Sequence, residues 1–149
     1  MNTDRLKYKE TTDIILKGFY EVYNELGDGF LESVYENALY FVLTEYGLHV
    51  EKQNEISVFF RGNVIGDFKA DLIVEEKVII ELKAVRTLDS AHEAQLINYL
   101  KATNIEVGLL LNFGRKPEFK RFIYDNKRKK ISDNQRKPAR RLAGGSVAR

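Results

Sequence analysis

Residues 64–85 read VIGDFKADLIVEEKVIIELKAV and carry the clearest strand pattern in this 149-residue chain. β-branched and aromatic residues dominate on both sides of Glu75-Glu76, and that break is short enough to be a hairpin turn. Just upstream, residues 56–60 (ISVFF) are separated from this stretch by Arg61-Gly62-Asn63, a second turn signal. The pattern therefore predicts a three-stranded antiparallel meander.

Working outward from the meander, helical spacing appears on both sides of it. Apolar residues recur at helical steps before the meander, and a continuous apolar run after it is typical of a strand covered on both faces. The predicted helices are 11–26, 30–47 and 88–102, the predicted strand is Val107–Phe113, and 118–126 could be a strand or a short helix. The order α, α, β, β, β, α, β, with one uncertain element, predicts an α/β (α+β) fold with a mixed sheet.

The composition excludes several classes of protein. The chain has no cysteine, so a disulfide framework, a thiolate metal site and a cysteine nucleophile are excluded, and His49 and His92 are the only imidazoles. The first residues lack the apolar segment of a signal peptide, and no later stretch approaches the ~18 apolar residues of a membrane span. We therefore expect a cytoplasmic protein without a membrane partner.

Charge is divided unevenly along the chain. Residues 1–126 contain 15 basic and 21 acidic residues, a net charge of −6, whereas residues 127–149 contain nine basic and one acidic residue, a net charge of +8. The second segment has few large apolar residues and no helical or strand spacing, which predicts a disordered basic tail. Such a tail is either an electrostatic arm for nucleic acid or a solvated segment that aids solubility.

Charged residues interrupt the two buried strands of the hairpin. Strand alternation over residues 67–74 places three charged side chains on one face: Asp67, Lys69 and Asp71. The opposite face carries the apolar set Phe68, Ala70, Leu72 and Val74. In the next strand Glu81 and Lys83 are two residues apart and share a face. Charges inside an apolar strand are costly unless they pair or bind a cation, so either a structural ion pair or a cation site is expected here.

The short turn at Glu75-Glu76 brings Asp71, Glu81 and Lys83 to the same edge of a hairpin. Hard divalent cations prefer carboxylate oxygens, and Mg²⁺ is usually bound by a few carboxylates together with waters and phosphate oxygens. A lysine beside such a site can orient a water or offset the negative charge that develops on a phosphoryl group. The cluster therefore suggests metal-assisted phosphodiester chemistry as the alternative to an ion pair.

Two motifs give the chain a family resemblance. The first motif consists of Asp71, nine further residues and then Glu81-x-Lys83. It resembles the bipartite motif of the PD-(D/E)xK nuclease superfamily, with Ala70 where the superfamily's name has a proline. Residues 29–35, GFLESVY, are a complete G-x-x-E-x-x-Y and look like the hallmark of the GxxExxY proteins within that superfamily. The similarity runs from about Thr11 to Asn126. It implies a restriction-endonuclease-like αβββαβ core with an extra N-terminal helix, so that 1–126 form the domain and 127–149 the tail.

The resemblance also implies roles for individual residues. Glu32, Asp71 and Glu81 would be metal ligands together with the backbone carbonyl of Leu82, and Lys83 would be the catalytic lysine. The remaining positions lie on helices beside the strands. Gln95 would contact the site or the nucleic acid, and Tyr99 could line the cleft. For Tyr35, packing of the helix onto the sheet is favoured over a role in lining the cleft.

The function implied is that of a Mg²⁺-dependent nuclease, with Mn²⁺ as an alternative ion. Nucleic acid would be the partner, with DNA favoured over RNA, and a homodimer is consistent with the superfamily. The competing hypothesis is a nuclease-fold module without catalysis that binds nucleic acid or a protein and keeps the acidic cluster as a structural network. The acidic core slightly favours that alternative, because its charge repels phosphate unless metal and tail compensate.

Overall fold

The computed structural model describes residues 7–129. Its elements in chain order are α1 (Lys9–Leu26), α2 (Glu32–Glu45), β1 (Val50–Phe60), β2 (Asn63–Val74), β3 (Val78–Lys83), α3 (Ser90–Ala102), β4 (Val107–Phe113), β5 (Pro117–Ile123) and a 3₁₀ turn (Asn126–Arg128). The predicted mixed α/β fold is confirmed, and the uncertain last element is a strand.

The five strands form one mixed sheet in the order β1-β2-β3-β4-β5. β1, β2 and β3 are the predicted antiparallel meander, β4 runs parallel to β3, and β5 is antiparallel to β4. A parallel neighbour requires a crossover, which α3 supplies between β3 and β4. Every residue of β4 is buried, as the apolar run predicted.

The sheet is covered on both faces by helices. One face packs against α1 and α2, with Phe19, Tyr35 and Leu39 fully buried there. The other face packs against α3 through Leu96 and Leu100. Burial of these apolar side chains on two faces is the main source of stability in such a layered arrangement.

One prediction about β2 is wrong. Phe68 and Ala70 pack with the α3 cluster, whereas Leu72 and Val74 pack with the cluster under α1 and α2, so the four residues do not share a face. The alternation breaks at Asp71. Across the β1–β2 ladder the break lies between the pairs Lys52–Leu72 and Asn54–Ala70, where Gln53 has a φ of 52°. Neither Gln53 nor Asp71 has a partner in this ladder, so the regular pairing of the two strands is interrupted at the point where the alternation fails.

The segments after β3 and β4 are held together at the carboxyl ends of these two strands. The Val85 N–H donates to Asn112 Oδ1 at 3.0 Å, and Asn112 Nδ2 donates to the Val85 carbonyl oxygen at 2.9 Å. Gly114 approaches the same segment so closely that a Cβ atom there would overlap the Val85 carbonyl oxygen and lie 2.9 Å from Asn112 Nδ2. The absence of a side chain at Gly114 is therefore a packing requirement.

This close approach makes Gly114→Ala a destabilising substitution. We expect a loss of about 1–3 kcal/mol in the free energy of unfolding, because the rigid backbone of Val85 must move to admit the methyl group. Urea denaturation measures the change. Gly66→Ala is the matched control, since its nearest atoms would be 3.7 Å or more from the new Cβ; equal stability of the two variants would contradict the packing requirement.

The first residues assigned to the basic tail lie within the described part of the chain. Lys129 Nζ donates to the carbonyl oxygens of Thr103 and Ile105, both at 2.8 Å, and Asp125 accepts a hydrogen bond from the Lys127 N–H at 2.8 Å. The rest of the predicted tail, 130–149, lies outside the described residues. Within 7–129, no helix combines the length and the apolar character that crossing a membrane requires.

Candidate active site

The strands β2 and β3 separate where the predicted site residues lie. They pair only from Leu72–Ile80 to Val74–Val78, next to the turn. Beyond Leu72, Asp71 reaches across the gap, and its Oδ2 accepts a hydrogen bond from the Leu82 N–H at 2.8 Å. A side chain thus takes the place of the missing strand ladder. The carboxylates of Asp71 and Glu81 lie at this fork, close enough for the charge of Asp71 to act on Glu81.

Glu81 is the central acidic residue of the fork. It is 4% exposed, and its Oε1 atom is buried without a hydrogen-bond partner in the described structure. Burial, and secondarily the negative charge of Asp71, raises the pKa of Glu81 to about 8, although Lys83 opposes the rise. The two partners of the anticipated ion pair, Lys83 Nζ and Glu81 Oε2, are 3.7 Å apart. The anticipated ion pair is therefore present at a long distance, and it does not offset the effect of burial on the pKa of Glu81.

Asp71 shares this environment. Burial raises its pKa, and the hydrogen bond from Leu82 opposes that effect, followed by a smaller raising contribution from Glu32. Glu32 is the first residue of α2 and is exposed. Its negative charge adds to the rise in the pKa of both Asp71 and Glu81. The predicted carboxylates therefore lie close enough to repel one another, and a bound cation would relieve that repulsion.

Lys83 is held by a chain of polar groups from α3. Its Nζ donates to Gln95 Oε1 at 3.3 Å, and Gln95 Nε2 donates to the Tyr99 hydroxyl at 2.8 Å. A lysine has no acceptor, so the amide oxygen of Gln95 must face it, which leaves the amide nitrogen for Tyr99. Tyr99 is itself 2% exposed, and burial raises its pKa to about 12. Hydrogen bonds therefore connect Lys83, Gln95 and Tyr99, and the roles expected for Gln95 and Tyr99 stay predictions.

Tyr35 does not belong to this group. Its side chain is fully buried, and its ring stacks on Phe113 with a centroid distance of 4.3 Å. Its hydroxyl donates to the Gly27 carbonyl oxygen at 2.6 Å and accepts from the Phe30 N–H at 3.1 Å. A substrate-lining role does not fit these contacts, because a fully buried ring offers no surface to a ligand. Tyr35 instead packs α2 and anchors the loop that precedes Glu32.

Comparison with known proteins agrees with this geometry. A family model of the PD-(D/E)XK nuclease superfamily matches residues 9–122. The chain belongs to this superfamily. Comparison with curated proteins gives no significant match.

A solved structure shares the fold. The crystal structure of SSO0001 superposes with a TM-score of 0.50 at 22% sequence identity, over 63% of this chain and 50% of that one. This chain therefore spans half the length of that protein. At such identity the similarity concerns the fold alone, and it is consistent with a restriction-endonuclease-like arrangement of this superfamily member.

Two polar residues near the superfamily motif were not among the predicted ones. Gln53 Nε2 donates to Glu36 Oε1 at 2.8 Å and lies 3.5 Å from Asp71 Oδ1. Burial, and then the charge of Asp71, raises the pKa of Glu36. The helical step from Glu32 to Glu36 was a usable signal, because residues four apart lie on one helix face. Gln53 had no such signal, since the strand pattern predicted β1 only from Ile56.

A second acidic group lies elsewhere on this nuclease-superfamily chain. One ligand atom from each of His49, Glu51 and Glu76 lies within 4.8 Å of the others. Within residues 7–129, Glu32, Asp71 and Glu81 do not reach that spacing as a trio. The group is formed by the start of β1 and the β2–β3 turn, and the His49 and Glu76 side chains are exposed. At the fork, Glu81 Oε1 is buried and has no hydrogen-bond partner in the described structure. Among the described residues, no ligand atom of the second group is both buried and without a partner.

The raised pKa of Glu81 predicts how stability depends on pH in the absence of metal. The unfolded chain loses this proton near pH 4.5, whereas the folded protein keeps it until about pH 8. The folded state therefore binds the extra proton within that window, and the free energy of unfolding falls as pH rises, by up to about 1.4 kcal/mol per pH unit.

Urea unfolding in EDTA between pH 5 and pH 8 measures this dependence. We expect Glu81→Gln to reduce the fall, because the substituted side chain carries no titrating proton. Glu25→Gln, a change at an exposed position of α1, is the matched control and should behave like the wild type. A wild-type stability that rises over the same range would refute the assignment of a buried, neutral Glu81.

Proposed function

We propose that this protein is a metal-dependent nuclease that hydrolyses phosphodiester bonds through Glu32, Asp71, Glu81 and Lys83. The observation that carries the proposal is the buried Oε1 atom of Glu81 without a partner in the described structure. A purely structural network usually satisfies its buried oxygens, because an unsatisfied acceptor costs about 1–3 kcal/mol. This favours a ligand-binding site over the alternative of an inactive scaffold.

The donor set fits a hard divalent cation. Glu32, Asp71, Glu81 and the backbone carbonyl of Leu82 would hold Mg²⁺, with Mn²⁺ as an alternative, since all the donors are oxygens. The ion would neutralise the carboxylates and polarise the phosphoryl group of the substrate. Occupancy of the site would also supply the missing partner of Glu81 Oε1. No sulfur or imidazole donor takes part, which is consistent with a chain that lacks cysteine.

The residues of the chain then have separate tasks in the proposed reaction. Lys83 carries the positive charge that stabilises the phosphoryl oxygens as negative charge accumulates on them. Gln95 and Tyr99 limit the positions that the lysine side chain can take, through the hydrogen bonds at 3.3 and 2.8 Å. The rings of Phe68 and Tyr99 pack against each other with a centroid distance of 5.3 Å. This contact provides apolar surroundings for the hydrogen bond between Gln95 and Tyr99.

We also infer that the chain is a GxxExxY protein within the superfamily. The contacts of Tyr35 support this, because its hydroxyl binds Gly27 and Phe30 on the loop that leads into Glu32. The tyrosine of the motif thus orients the first residue of α2, where the glutamate of the motif lies. DNA as the preferred substrate, a homodimeric state and a cytoplasmic location remain part of the proposal.

Incubation with labelled substrates tests the proposed activity. Single-stranded, duplex and branched DNA and single-stranded RNA are each incubated with the protein in Mg²⁺, Mn²⁺ or EDTA, and the products are separated on denaturing gels. We expect cleavage of at least one substrate with either metal and none in EDTA. No cleavage of any substrate, together with no metal-dependent rise in melting temperature, would support the inactive module instead.

A further inference from the structure

Two loops adjoin the site at the carboxyl ends of the parallel strands. Residues 84–89 follow β3, and residues 114–116 follow β4. Lys83 and Asn112 are register partners in the ladder that joins these strands. The paired hydrogen bonds between Asn112 and Val85 and the close approach of Gly114 make the two loops one packed unit. Their position is therefore set by the same strands that carry the site.

Three cations project from this unit: Arg86, Arg115 and Lys116, which we call the basic platform. All three are exposed, and none forms an ion pair or a side-chain hydrogen bond with another residue in the described range 7–129. The nearby carboxylate of Glu118 contacts Asn112 Nδ2 at 3.4 Å instead. The three cations place positive charge beside the site on a domain whose residues 1–126 carry a net charge of −6.

The backbone beneath the platform is anchored to α1. The hydroxyl of Tyr23 is within hydrogen-bond distance of two carbonyl oxygens, that of Gly114 at 2.9 Å and that of Arg115 at 2.6 Å. Burial, and then the negative charge of Asp28, raises the pKa of the Tyr23 hydroxyl at this anchor. A cation on an anchored loop loses less conformational entropy on binding than one on a free segment.

We propose that the basic platform binds phosphate groups of the nucleic-acid strand beside the bond that is cut. This inference rests on the proposed nuclease function and adds the surface that receives the substrate. Arg86 follows Lys83 by three residues, a reach of at most about 11 Å along an extended chain, so the platform lies within a few nucleotides of the site. Arginine pairs well with phosphate because its planar donors match the phosphate oxygens.

Nucleic acid fits the platform better than an acidic protein. The carboxylates of Glu32 and Asp71 disfavour an anion that enters the metal-free site itself, whereas the basic platform lies beside the site on the two loops. A strand with regularly repeated phosphates can cross the neutralised site and contact the platform at the same time. DNA and RNA share this phosphate chemistry, and the substrates in the test distinguish them.

Fluorescence anisotropy with labelled 20-nucleotide DNA, duplex DNA and RNA tests the platform in EDTA, which prevents metal-dependent cleavage. The full chain is compared with the triple variant Arg86→Gln, Arg115→Gln, Lys116→Gln. We expect about 10- to 100-fold weaker binding near 0.1 M salt, and a slope of log affinity against log salt that is smaller by about two to three. A poly-glutamate peptide should bind neither protein measurably.

The matched control changes the same number of charges elsewhere. Lys17→Gln, Lys77→Gln, Lys101→Gln removes three exposed cations outside the platform, and we expect at most a twofold loss. Arg86→Lys, Arg115→Lys keeps the charge and should keep most of the affinity. Equal loss in both triple variants, or no loss in the platform variant, would overturn the proposal.

Binding and cleavage are measured separately, so the platform proposal and the proposed nuclease function can fail independently of each other. Where the protein cleaves, the platform variant should raise KM and leave kcat unchanged, because the platform contacts phosphates away from the scissile bond. Where it cleaves no substrate, the difference in binding and salt slope between the two triple variants still measures the platform directly. A variant that lowers kcat alone would contradict a role in substrate binding.

Discussion

We expect Lys83→Ala to lower the rate of phosphodiester cleavage by about 10²- to 10⁴-fold, the usual effect of removing a positioned charged group from a reaction centre. The physical reason is the position of the ammonium group, 3.7 Å from Glu81 Oε2 and bonded to Gln95 at the fork of β2 and β3. Single-turnover cleavage at saturating protein measures the effect on the chemical step. Metal binding and fold should be retained, because Asp71 and Glu81 stay in place.

Lys69→Ala is the matched control for this substitution. Lys69 is an exposed lysine on β2, two residues before Asp71, so it tests whether any lysine near the motif has the same effect. We expect its cleavage rate to remain within a few-fold of the wild type. If Lys83→Ala unfolds the protein instead, the lysine acts as part of a structural ion pair. A folded Lys83→Ala variant with unchanged cleavage would exclude a catalytic role.

Asp71→Asn should abolish the stabilisation by Mg²⁺ or Mn²⁺. At an ion concentration about a hundredfold above Kd, the wild-type protein gains about 2.7 kcal/mol in the free energy of unfolding, a rise of roughly 5–10 °C in Tm for a domain of this size. The asparagine oxygen can still accept the hydrogen bond from the Leu82 N–H that Asp71 accepts at 2.8 Å. The metal-free variant should therefore fold as well as the wild type. Thermal unfolding with metal and with EDTA measures both quantities.

Asp67→Asn is the control on the same strand. Asp67 is exposed and accepts a hydrogen bond from Ser57 at 2.9 Å, so its substitution should leave the metal-dependent rise intact. Glu51→Gln tests the second acidic group, formed with His49 and Glu76. A metal response that survives Asp71→Asn but disappears in Glu51→Gln would locate the ion at the start of β1 and would refute the proposed site.

These two substitutions separate chemistry from ion binding. Lys83→Ala should lose cleavage and keep the metal response, whereas Asp71→Asn should lose both. An inactive scaffold with a structural acidic network would give neither pattern, because the wild type would show no cleavage and no metal response. The pair of variants therefore tests the nuclease proposal against its main alternative.

Asp71 marks the limit of what a strand pattern can predict. Its association with Glu81 and Lys83 followed from two strands, a short turn and the period of a strand. The face of its neighbours did not follow, because the alternation breaks where Gln53 adopts a φ of 52°. Strand patterns assume regular backbone geometry, and a single left-handed residue in the partner strand is invisible to them.

The helical part of the site shows a similar limit. Helical spacing alone predicts that Gln95 and Tyr99 are neighbours, and a hydrogen bond of 2.8 Å joins them. Spacing could not show that Tyr35 turns away from the fork, where it stacks on Phe113. Which face of a helix meets which strand depends on packing between elements that are distant in the chain.

The sequence by itself determined the order of the elements, the meander, and the motif that brings Asp71, Glu81 and Lys83 together on neighbouring strands of one hairpin. These features depend on local periodicity and on a short turn, which adjacent residues specify. Only the tertiary structure revealed the fork between β2 and β3, the buried oxygen of Glu81 that lacks a partner in the described structure, and the two loops joined at Gly114. Burial and partnership arise from contacts between segments far apart in the chain, so no local pattern can specify them.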